Sequence, residues 1–212
     1  MSAPQSYYVP VDAGEAEFTE KRSRFLGHVR RVETEAEARA FLDEMRKKYY
    51  DARHNCWCYV LHEGGVVRYG DDGEPQGTAG QPMLNVFQRE GVENVVCVVT
   101  RYFGGVLLGA GGLTRAYAKS AKDALDAAGK ARMRLWSAVT VDCPYPMLER
   151  LKLLAAAYGG TVEGTDFGAA VSIRILLPQE NAAGFDAALT ELSAGTMTAR
   201  REGERFLPGP RE

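Results

Sequence analysis

An uninterrupted apolar segment lies near the middle of the chain: NVVCVVT, residues 94–100. A strand with one face in water alternates apolar and polar residues, whereas a strand covered on both faces is apolar throughout. The segment therefore predicts a strand that is buried on both faces. A chain of 212 residues, 45% of them hydrophobic and 25% charged, is long enough and apolar enough to build such a core.

Helical and strand patterns surround this segment. TEAEARAFLDEMRKKYY, residues 34–50, predicts a helix capped by Thr34, with apolar residues along one face. NCWCYVLH and VVRYG predict two strands joined by the turn EGG. A second helix is expected to begin near Gly80, and a third covers residues 114–129 and ends at its glycine.

The pattern restarts near residue 131. Strand, helix, two strands, helix and strand follow one another from RLWSAVTVDCPY to MTARREGERFL. This β-α-β-β-α-β order is typical of the ferredoxin-like fold. We therefore predict an α+β protein of two domains, residues 1–130 and 131–212.

Charge and hydropathy limit the possible partners. The net charge is -2 and is divided evenly between the two halves, so neither half is a basic nucleic-acid module, and phosphate binding would need a local patch. No apolar run of about 18 residues occurs, and the N-terminus lacks the basic segment and apolar core of a secretory signal. We expect a cytoplasmic monomer without a membrane partner.

The four cysteines do not form a recognisable disulfide framework. Cys56 and Cys58 would point to the same face of one strand, and Cys97 and Cys143 lie singly in apolar strands. Zinc sites favour C-x-x-C spacing and a second ligand pair, which are both absent from the sequence. We expect buried thiols rather than a metal site.

A glycine-rich loop follows the apolar strand. Its five glycines are Gly104, Gly105, Gly109, Gly111 and Gly112. We expect the next helix to carry Thr114 and Arg115 in its first turn, where free amides, with Arg101 and Arg115, would form an anion pocket. It matches neither standard nucleotide motif, because Ala110 replaces the Walker lysine and Thr114 the third dinucleotide-motif glycine. Alternatively, the glycines only permit a tight crossover and close packing.

An acidic loop, YGDDGEPQGTAGQPM at residues 69–83, concentrates carboxylates. Asp71, Asp72 and Glu74 offer oxygen ligands for a divalent cation, but the EF-hand spacing is absent. Asp-Gly and Glu-Pro favour turns, Thr78 is a natural helix cap, and Asp72 or Glu74 would accept hydrogen bonds from loop amides. The loop is thus a metal site, a docking loop or a structural turn. Turn chemistry accounts for most of its residues, so we expect no metal and no cofactor.

His54 precedes a strand and would face the acidic loop across the neighbouring strand. A histidine–aspartate pair can act as a general base, so the candidate catalytic residues are His54, Asp71, Asp72 and Glu74. A capping or core histidine is the simpler interpretation. The sequence contains no H-E-x-x-H motif and no G-x-S-x-G nucleophile elbow.

Four ordered motifs resemble those of the YigZ/IMPACT family. They are KRSRFLGHV at 21–29, ARHNCWCYV at 52–60, DDGEPQGTAGQPML at 71–84 and RYFGGVLLGAGGLTRAY at 101–117. Together they cover most of residues 17–128. Two positions depart from the family pattern: Gly70 stands where a serine is usual, and Trp57 stands where a small residue is expected.

The resemblance implies a first domain similar to the second domain of ribosomal protein S5, followed by the ferredoxin-like domain. These folds are also similar to the fourth and fifth domains of the translocase elongation factor, and the first of them hosts small-molecule kinases. Eukaryotic members of the family regulate translation by competing for the activator of a stress kinase, using a further domain.

The expected function is therefore that of a translation-associated regulatory or binding protein, docking on RNA or the ribosome through a groove in the first domain. The phosphate contacts would come from the glycine loop, Thr114 and five cations: Lys21, Arg22, Arg24, Arg101 and Arg115. One alternative is a hydrolase or phosphotransferase that uses the acidic loop on a small phosphorylated or peptide substrate. Another is a regulator that binds only proteins, since no aromatic RNA-binding signature is present.

Overall fold

The computed structural model describes residues 7–212 and divides the chain into two compact units. The first unit extends to Met133 and includes Pro208–Glu212, and the second is Arg134–Leu207. Both units combine helices with antiparallel strands. The last five residues, which we predicted to belong to the second domain, therefore lie in the first unit, where the amide of Glu212 donates to the carbonyl of Lys130 at 2.8 Å.

The elements follow one another in two groups. The first unit contains β1 (Tyr8–Pro10), β2 (Gly14–Glu20), β3 (Ser23–Arg31), α1 (Glu35–Lys48), β4 (His54–Leu61), β5 (Val66–Gly70), α2 (Gly80–Arg89), β6 (Val95–Tyr102) and α3 (Ala110–Ala128). Strand β7 (Lys130–Cys143) begins in the first unit and continues into the second. There it is followed by α4 (Leu148–Ala157), β8 (Thr161–Phe167), β9 (Val171–Pro178), α5 (Ala182–Ser193) and β10 (Ala199–Arg211).

The main sheet of the first unit has the strand order β2-β3-β6-β4-β5 and is antiparallel throughout. Helices α2 and α3 cover one face, where Met83 and Tyr117 are buried against Phe25 of β3. Helix α1 covers the other face with Phe41 and Met45. Strand β6 is central and buried along nearly its whole length, so the prediction of a strand covered on both faces is confirmed.

Helix α1 begins as its sequence predicts. The hydroxyl of Thr34 accepts a hydrogen bond from the amide of Glu37 at 3.2 Å, and the Glu37 carboxylate accepts one from the amide of Glu33 at 2.6 Å. These bonds satisfy amides that have no partner inside the helix. A cap of this kind stabilises a helix by about 1 kcal/mol.

Helix α2 begins at Gly80 as expected, but the predicted cap is wrong. The hydroxyl of Thr78 donates to the carbonyl of Pro75 at 2.6 Å instead of accepting from the helix. The carboxylate of Asp71 accepts from the first amides of α2 in its place. A residue distant in sequence therefore supplies the cap.

Helix α3 begins at Ala110, one turn before the predicted start. Gly111 and Gly112 are helical here, although glycine has a low helix propensity. Thr114 and Arg115 therefore lie in the second turn, and the free amides of the helix belong to the glycine loop itself. The end of the helix at its C-cap, Gly129, is as predicted.

The second unit has the element order β-α-β-β-α-β, as the sequence predicts. In its sheet β7 lies between β10 and β9, and β8 is on the far side of β9. Leu151 of α4 and Phe185 of α5 pack with Ile175 of β9 in one core. Among the helices of residues 7–212, none has both the length and the apolar composition needed to cross a bilayer.

All four cysteines are buried and free, as expected. Cys56, Cys58 and Cys97 share the core beneath α2 and α3, and Cys143 lies in the core of the second unit. Burial raises the pKa of the Cys56 and Cys58 thiols well above the ordinary value, so both stay protonated. Protonated thiols are poor nucleophiles, which fits a packing role.

Candidate binding surface of the first unit

A buried ion pair joins the acidic loop to β6 and α3. Nη1 of Arg101 donates to Oε1 of Glu74 at 2.7 Å, and the two side chains are only 6% and 3% exposed. The hydroxyl of Tyr117 donates to the same carboxylate oxygen at 2.7 Å. Nη2 of Arg101 donates to the Ser23 hydroxyl at 3.2 Å, which brings in the start of β3. Four separate segments are thus held by one charged group of side chains.

The position of Arg101 corrects its predicted role. We expected its guanidinium to meet phosphates at the surface, but it points into the core, 5.6 Å from the ring centroid of Phe25. Its Nε is buried and has no hydrogen-bond partner within residues 7–212. A guanidinium so enclosed cannot contact a surface ligand. Arg101 therefore organises the surface from below.

Tyr117 serves as a hydrogen-bond donor in this group. Burial, followed by the neighbouring Cys56 and Glu74 side chains, raises the pKa of the Tyr117 phenol far above its ordinary value. The hydroxyl therefore remains protonated. Neither Tyr117 nor Ser23 was predicted from the sequence to belong to the site. The available signal was a tyrosine on the apolar face of α3, because a buried tyrosine hydroxyl needs a polar partner.

The acidic loop uses its carboxylates on its own backbone and on β4. Asp71 accepts hydrogen bonds at 2.8, 3.1 and 2.8 Å from the amides of Gly77, Ala79 and Gly80. Asp72 accepts from the amide of Asn55 at 2.6 Å. In the described part of the chain, no group of three or more histidine, cysteine or acidic side chains is placed to hold a metal ion. The loop is built as a turn and a helix cap.

The predicted pairing of His54 with an acidic side chain is not formed. Nδ1 of His54 lies 2.9 Å from the backbone oxygen of Asp72, not from its carboxylate. A carbonyl oxygen only accepts hydrogen bonds, so Nδ1 is the donor in this contact. His54 thus fastens the acidic loop to the start of β4, which fits the capping interpretation.

Four of the five glycines in the glycine loop are explained by packing or turn geometry. A Cβ at Gly104 would lie 2.0 Å from the backbone of Arg22, so only glycine lets the loop pass the turn before β3. Gly105 and Gly109 have φ angles of 82° and 72°, in the region that favours glycine. A Cβ at Gly112 would be tight, at 3.0 Å from the Cβ of Leu108.

Gly111 has no such explanation. It is exposed in the first turn of α3, its φ is ordinary, and a Cβ there would meet nothing closer than Nη1 of Arg115, at 3.5 Å. Glycine in a helix costs about 1 kcal/mol relative to alanine. No contact within residues 7–212 offsets this loss of stability. A residue without a side chain does, however, let a ligand approach the backbone amides.

The start of α3 is not capped. Its N-cap residue, Gly109, has no side chain, and the first turn contains no acidic residue. The first bond inside the helix is from the amide of Leu113 to the carbonyl of Gly109, at 3.0 Å. Within residues 7–212 the amides of residues 110–112 therefore have no hydrogen-bond partner, and no side chain caps the positive end of the helix dipole, although Glu20 lines the neighbouring cleft.

Three exposed cations belong to the same region of the first unit. Lys21 and Arg22 form the turn against Gly104, and Arg115 follows in the second turn of α3. None of the three takes part in an ion pair within the described part of the chain. Arg24 differs, because it is bonded to both oxygens of Glu17, at 2.5 and 2.9 Å.

A shallow cleft and an apolar loop complete the region. The cleft, of about 140 Å³, lies between β2 and α3 and is lined by Phe18, Glu20, Gly112, Arg115, Ala116 and Lys119. The loop exposes Phe103, Val106 and Leu107, the last by 81%. We call the turn Lys21–Arg22, the loop 103–109, the first turn of α3 and Arg115 the glycine-loop surface. Its open form and mixed chemistry suit a macromolecule better than a small substrate.

The model of the Impact N-terminal domain matches residues 21–125, which contain the whole surface. The chain is also 36% identical over 200 residues to the IMPACT family member YvyE of Bacillus subtilis (strain 168), covering 94% of this chain and 92% of that protein. The chain belongs to the IMPACT family. The resemblance inferred from the four motifs is confirmed.

A second bacterial relative matches most of the chain, whereas a eukaryotic relative matches about half of it. The IMPACT family member YigZ of Escherichia coli (strain K12) is 35% identical over 180 residues, 84% of this chain and 88% of that protein. The Protein IMPACT of Rattus norvegicus is 32% identical over 112 residues, 51% of this chain and 35% of that protein. A second model, a domain of unknown function (DUF1949), matches residues 141–196. A solved structure described as the crystal structure of an hypothetical protein is 33% identical, with a TM-score of 0.58, covering 92% of this chain and 96% of that one.

Proposed function

We propose that this protein is a cytoplasmic, translation-associated binding protein that docks on RNA, free or within the ribosome, through the glycine-loop surface. The observation that carries the proposal is Gly111, an exposed glycine in an uncapped helix start where the fold has room for a side chain. The free amides and the helix dipole attract an anion, and a bare Cα lets a phosphate approach them. The chain also has eukaryotic relatives in the IMPACT family. The resemblance implies that these members regulate translation, which supports a translation-associated role.

The chemistry of this surface favours a phosphate backbone over a single free anion. Lys21 and Arg22 are exposed in the turn that meets Gly104, and Arg115 is exposed in the second turn of α3, so the surface offers several cations to successive phosphates of one strand. These groups recognise phosphate and not base edges, which predicts binding with little sequence preference and a strong dependence on salt. Arg101 is excluded from the surface by its burial.

We further assign the first unit to the fold of the second domain of ribosomal protein S5 and the second unit to the ferredoxin-like fold. The antiparallel order β2-β3-β6-β4-β5, with α2 and α3 on one face, supports the first assignment. The order β10-β7-β9-β8 supports the second. Both folds occur in ribosome-associated proteins, but fold alone does not transfer function, so the proposal rests on the surface.

A regulator that binds a protein partner is the second candidate. Leu107 is 81% exposed beside Val106, and such side chains are typical of protein interfaces. The enzymatic alternative has weaker support. Asp71 and Asp72 accept backbone amides, Glu74 is enclosed with Arg101, and His54 contacts a backbone oxygen, so all four candidate catalytic residues already make structural contacts.

Crosslinking in cell lysate, with separate recovery of RNA and protein, tests the proposal. We expect RNA crosslinked to peptides that contain residues 103–115. Recovery of protein alone at those peptides would support the protein-binding regulator and contradict RNA docking. Recovery of neither, together with turnover in a phosphatase and nucleotidase screen, would support the enzyme. Arg89→Ala, an exposed arginine at the end of α2, is a matched control for Arg115→Ala, which should lose the RNA crosslink.

A further inference from the structure

A second groove, of about 410 Å³, opens on the face of the first-unit sheet that carries α1. It lies between that helix and the edge strand β5. Its lining consists of Arg39, Leu42, Asp43, Arg46, Trp57, Tyr59 and Arg68. We call it the arginine–tryptophan groove. Because α3 covers the opposite face, this groove is separate from the glycine-loop surface.

The indole of Trp57 is held flat by its neighbours. Trp57 is paired across the strands with Gly70, and a Cβ at position 70 would lie 2.7 Å from the indole ring. The ring of Tyr59 stacks beside it, with centroids 5.6 Å apart and planes 14° apart. Gly70 and Trp57 are the two positions that depart from the family pattern, and they are linked. Because residue 70 has no side chain, the ring of residue 57 has room. The result is a partly buried aromatic ring that lines the groove.

Three arginines surround this ring and only one acid lines the groove. Arg39 contacts Glu35 at 3.4 Å and Arg46 contacts Asp43 at 3.7 Å. Exposed ion pairs of this length contribute little, so both guanidiniums are free to exchange their partners. Nη1 of Arg68 donates to the carbonyl of Val67, a neutral partner. Glu35, which also accepts from the Tyr59 hydroxyl at 3.2 Å, and Asp43 are the acids beside the three arginines, so the groove keeps a net positive charge around an aromatic ring.

We propose that the arginine–tryptophan groove binds a nucleotide unit of single-stranded RNA, with its base stacked on Trp57 and its flanking phosphates on the three arginines. Aromatic platforms within basic grooves are the way in which single-stranded nucleic acids are held without sequence preference. A base inside a duplex is already stacked and cannot reach the indole, so a duplex fits the groove less well. The groove is independent of the glycine-loop surface, and either can fail alone.

Intrinsic fluorescence gives a local readout. The chain has two tryptophans, and Trp136 is buried in the second unit, so quenching by a stacked base reports on Trp57. We expect an eight-nucleotide oligouridine to quench the full-length protein saturably, and more weakly as salt rises. Arg68→Ala should weaken the affinity and lower the salt slope by about one. The control Arg89→Ala should bind as the wild type does.

Two substitutions at the ring separate stacking from folding. Trp57→Leu should weaken binding of a labelled oligouridine by about tenfold, measured by anisotropy, because stacking is lost. Trp57→Phe keeps a ring and should retain most of the affinity, which shows that the site is intact. Gly70→Ser should displace the indole and weaken binding while all three arginines remain.

The possible results lead to distinct conclusions. Absence of quenching in the wild type, or an unchanged affinity in folded Trp57→Leu, would overturn the inference. Uridine monophosphate binding as tightly as the oligomer would overturn the single-strand assignment in favour of a free nucleotide. Gly111→Ala should leave the quenching unchanged. Loss of ribosome binding in Gly111→Ala with quenching intact would separate the two surfaces.

Discussion

The acidic loop and the glycine loop lie close together around the buried Arg101–Glu74 pair, yet they use their polar groups in opposite ways. The acidic loop directs its carboxylates inward: Asp71 and Asp72 accept backbone amides, and Glu74 is enclosed. The glycine loop leaves the first amides of α3 without hydrogen-bond partners among residues 7–212. The dense group of reactive residue types therefore serves the structure of the acidic loop, and we propose that the residues without side chains form the binding surface.

The largest effect should come from breaking the buried pair. Glu74→Gln leaves the Arg101 guanidinium buried without a counter-charge, and loss of one partner of such a pair costs about 3–5 kcal/mol. Chemical denaturation measures this loss. In Glu74→Gln/Arg101→Met no unpaired charge remains, so the double variant should be less destabilised than the sum of the single variants. Additive losses would contradict the account of these side chains as one unit.

Gly104→Ala should cause the second-largest loss of stability. Its Cβ would enter the backbone of Arg22 at 2.0 Å, and overpacking of this kind costs about 1–3 kcal/mol. The matched control is Gly105→Ala, in the same loop, where nothing lies within 4 Å and only the positive φ resists the substitution. If Gly104→Ala were as stable as the wild type, the fit of the loop against the turn before β3 would be disproved.

Asp71→Ala should cost about 1–2 kcal/mol, because α2 loses its cap. Asp71→Asn keeps one acceptor oxygen and should lose less. Calorimetry with magnesium, manganese and zinc is the complementary measurement on the wild type. We expect no stoichiometric heat, and a site that Asp72→Asn abolishes would show that the loop has a metal-binding role after all.

His28, which lies outside the acidic loop, should make the free energy of unfolding depend on pH. Burial lowers the pKa of His28 below its ordinary value near 6.5, and Glu15, 3.3 Å away, offsets part of that effect. The unfolded chain therefore binds this proton more readily, so stability is lost as pH falls through 6.5 and levels off below the folded pKa. His28→Gln should flatten this dependence, because the side chain that takes up the proton on unfolding is removed. An unchanged slope would contradict it.

Local patterns predicted the elements well because their causes are local. The Thr34 cap and Gly129 act within one or two turns, and the apolar run at β6 follows from burial on both faces. The cap of α2 was missed because Asp71 accepts from amides eight and nine positions ahead. Only the tertiary fold brings such groups together.

The candidate site was predicted in part, for the same reason. Its glycines and Arg115 could be named from the sequence, and the structure leaves them at the surface. The inward orientation of Arg101 depends on Glu74, 27 positions away, so no local pattern announces it. The start of α3 was placed one turn late because Gly111 and Gly112 have low helix propensity, and propensity is readily overridden by tertiary structure.

We propose that glycine is kept at position 111 because a ligand binds there, and one substitution tests this directly. Gly111→Ala removes backbone freedom at an exposed helical position with room for a methyl group, so the protein should gain about 0.5–1 kcal/mol of stability. The methyl group obstructs the approach to the amides of residues 110–112, so affinity for purified ribosomes should fall by about tenfold, a typical effect of losing one to two good anion contacts. Melting temperature and ribosome affinity are measured on the same preparation, with Arg89→Ala as the control. A more stable protein that binds less well is the predicted result. A more stable protein with wild-type affinity would contradict the central claim.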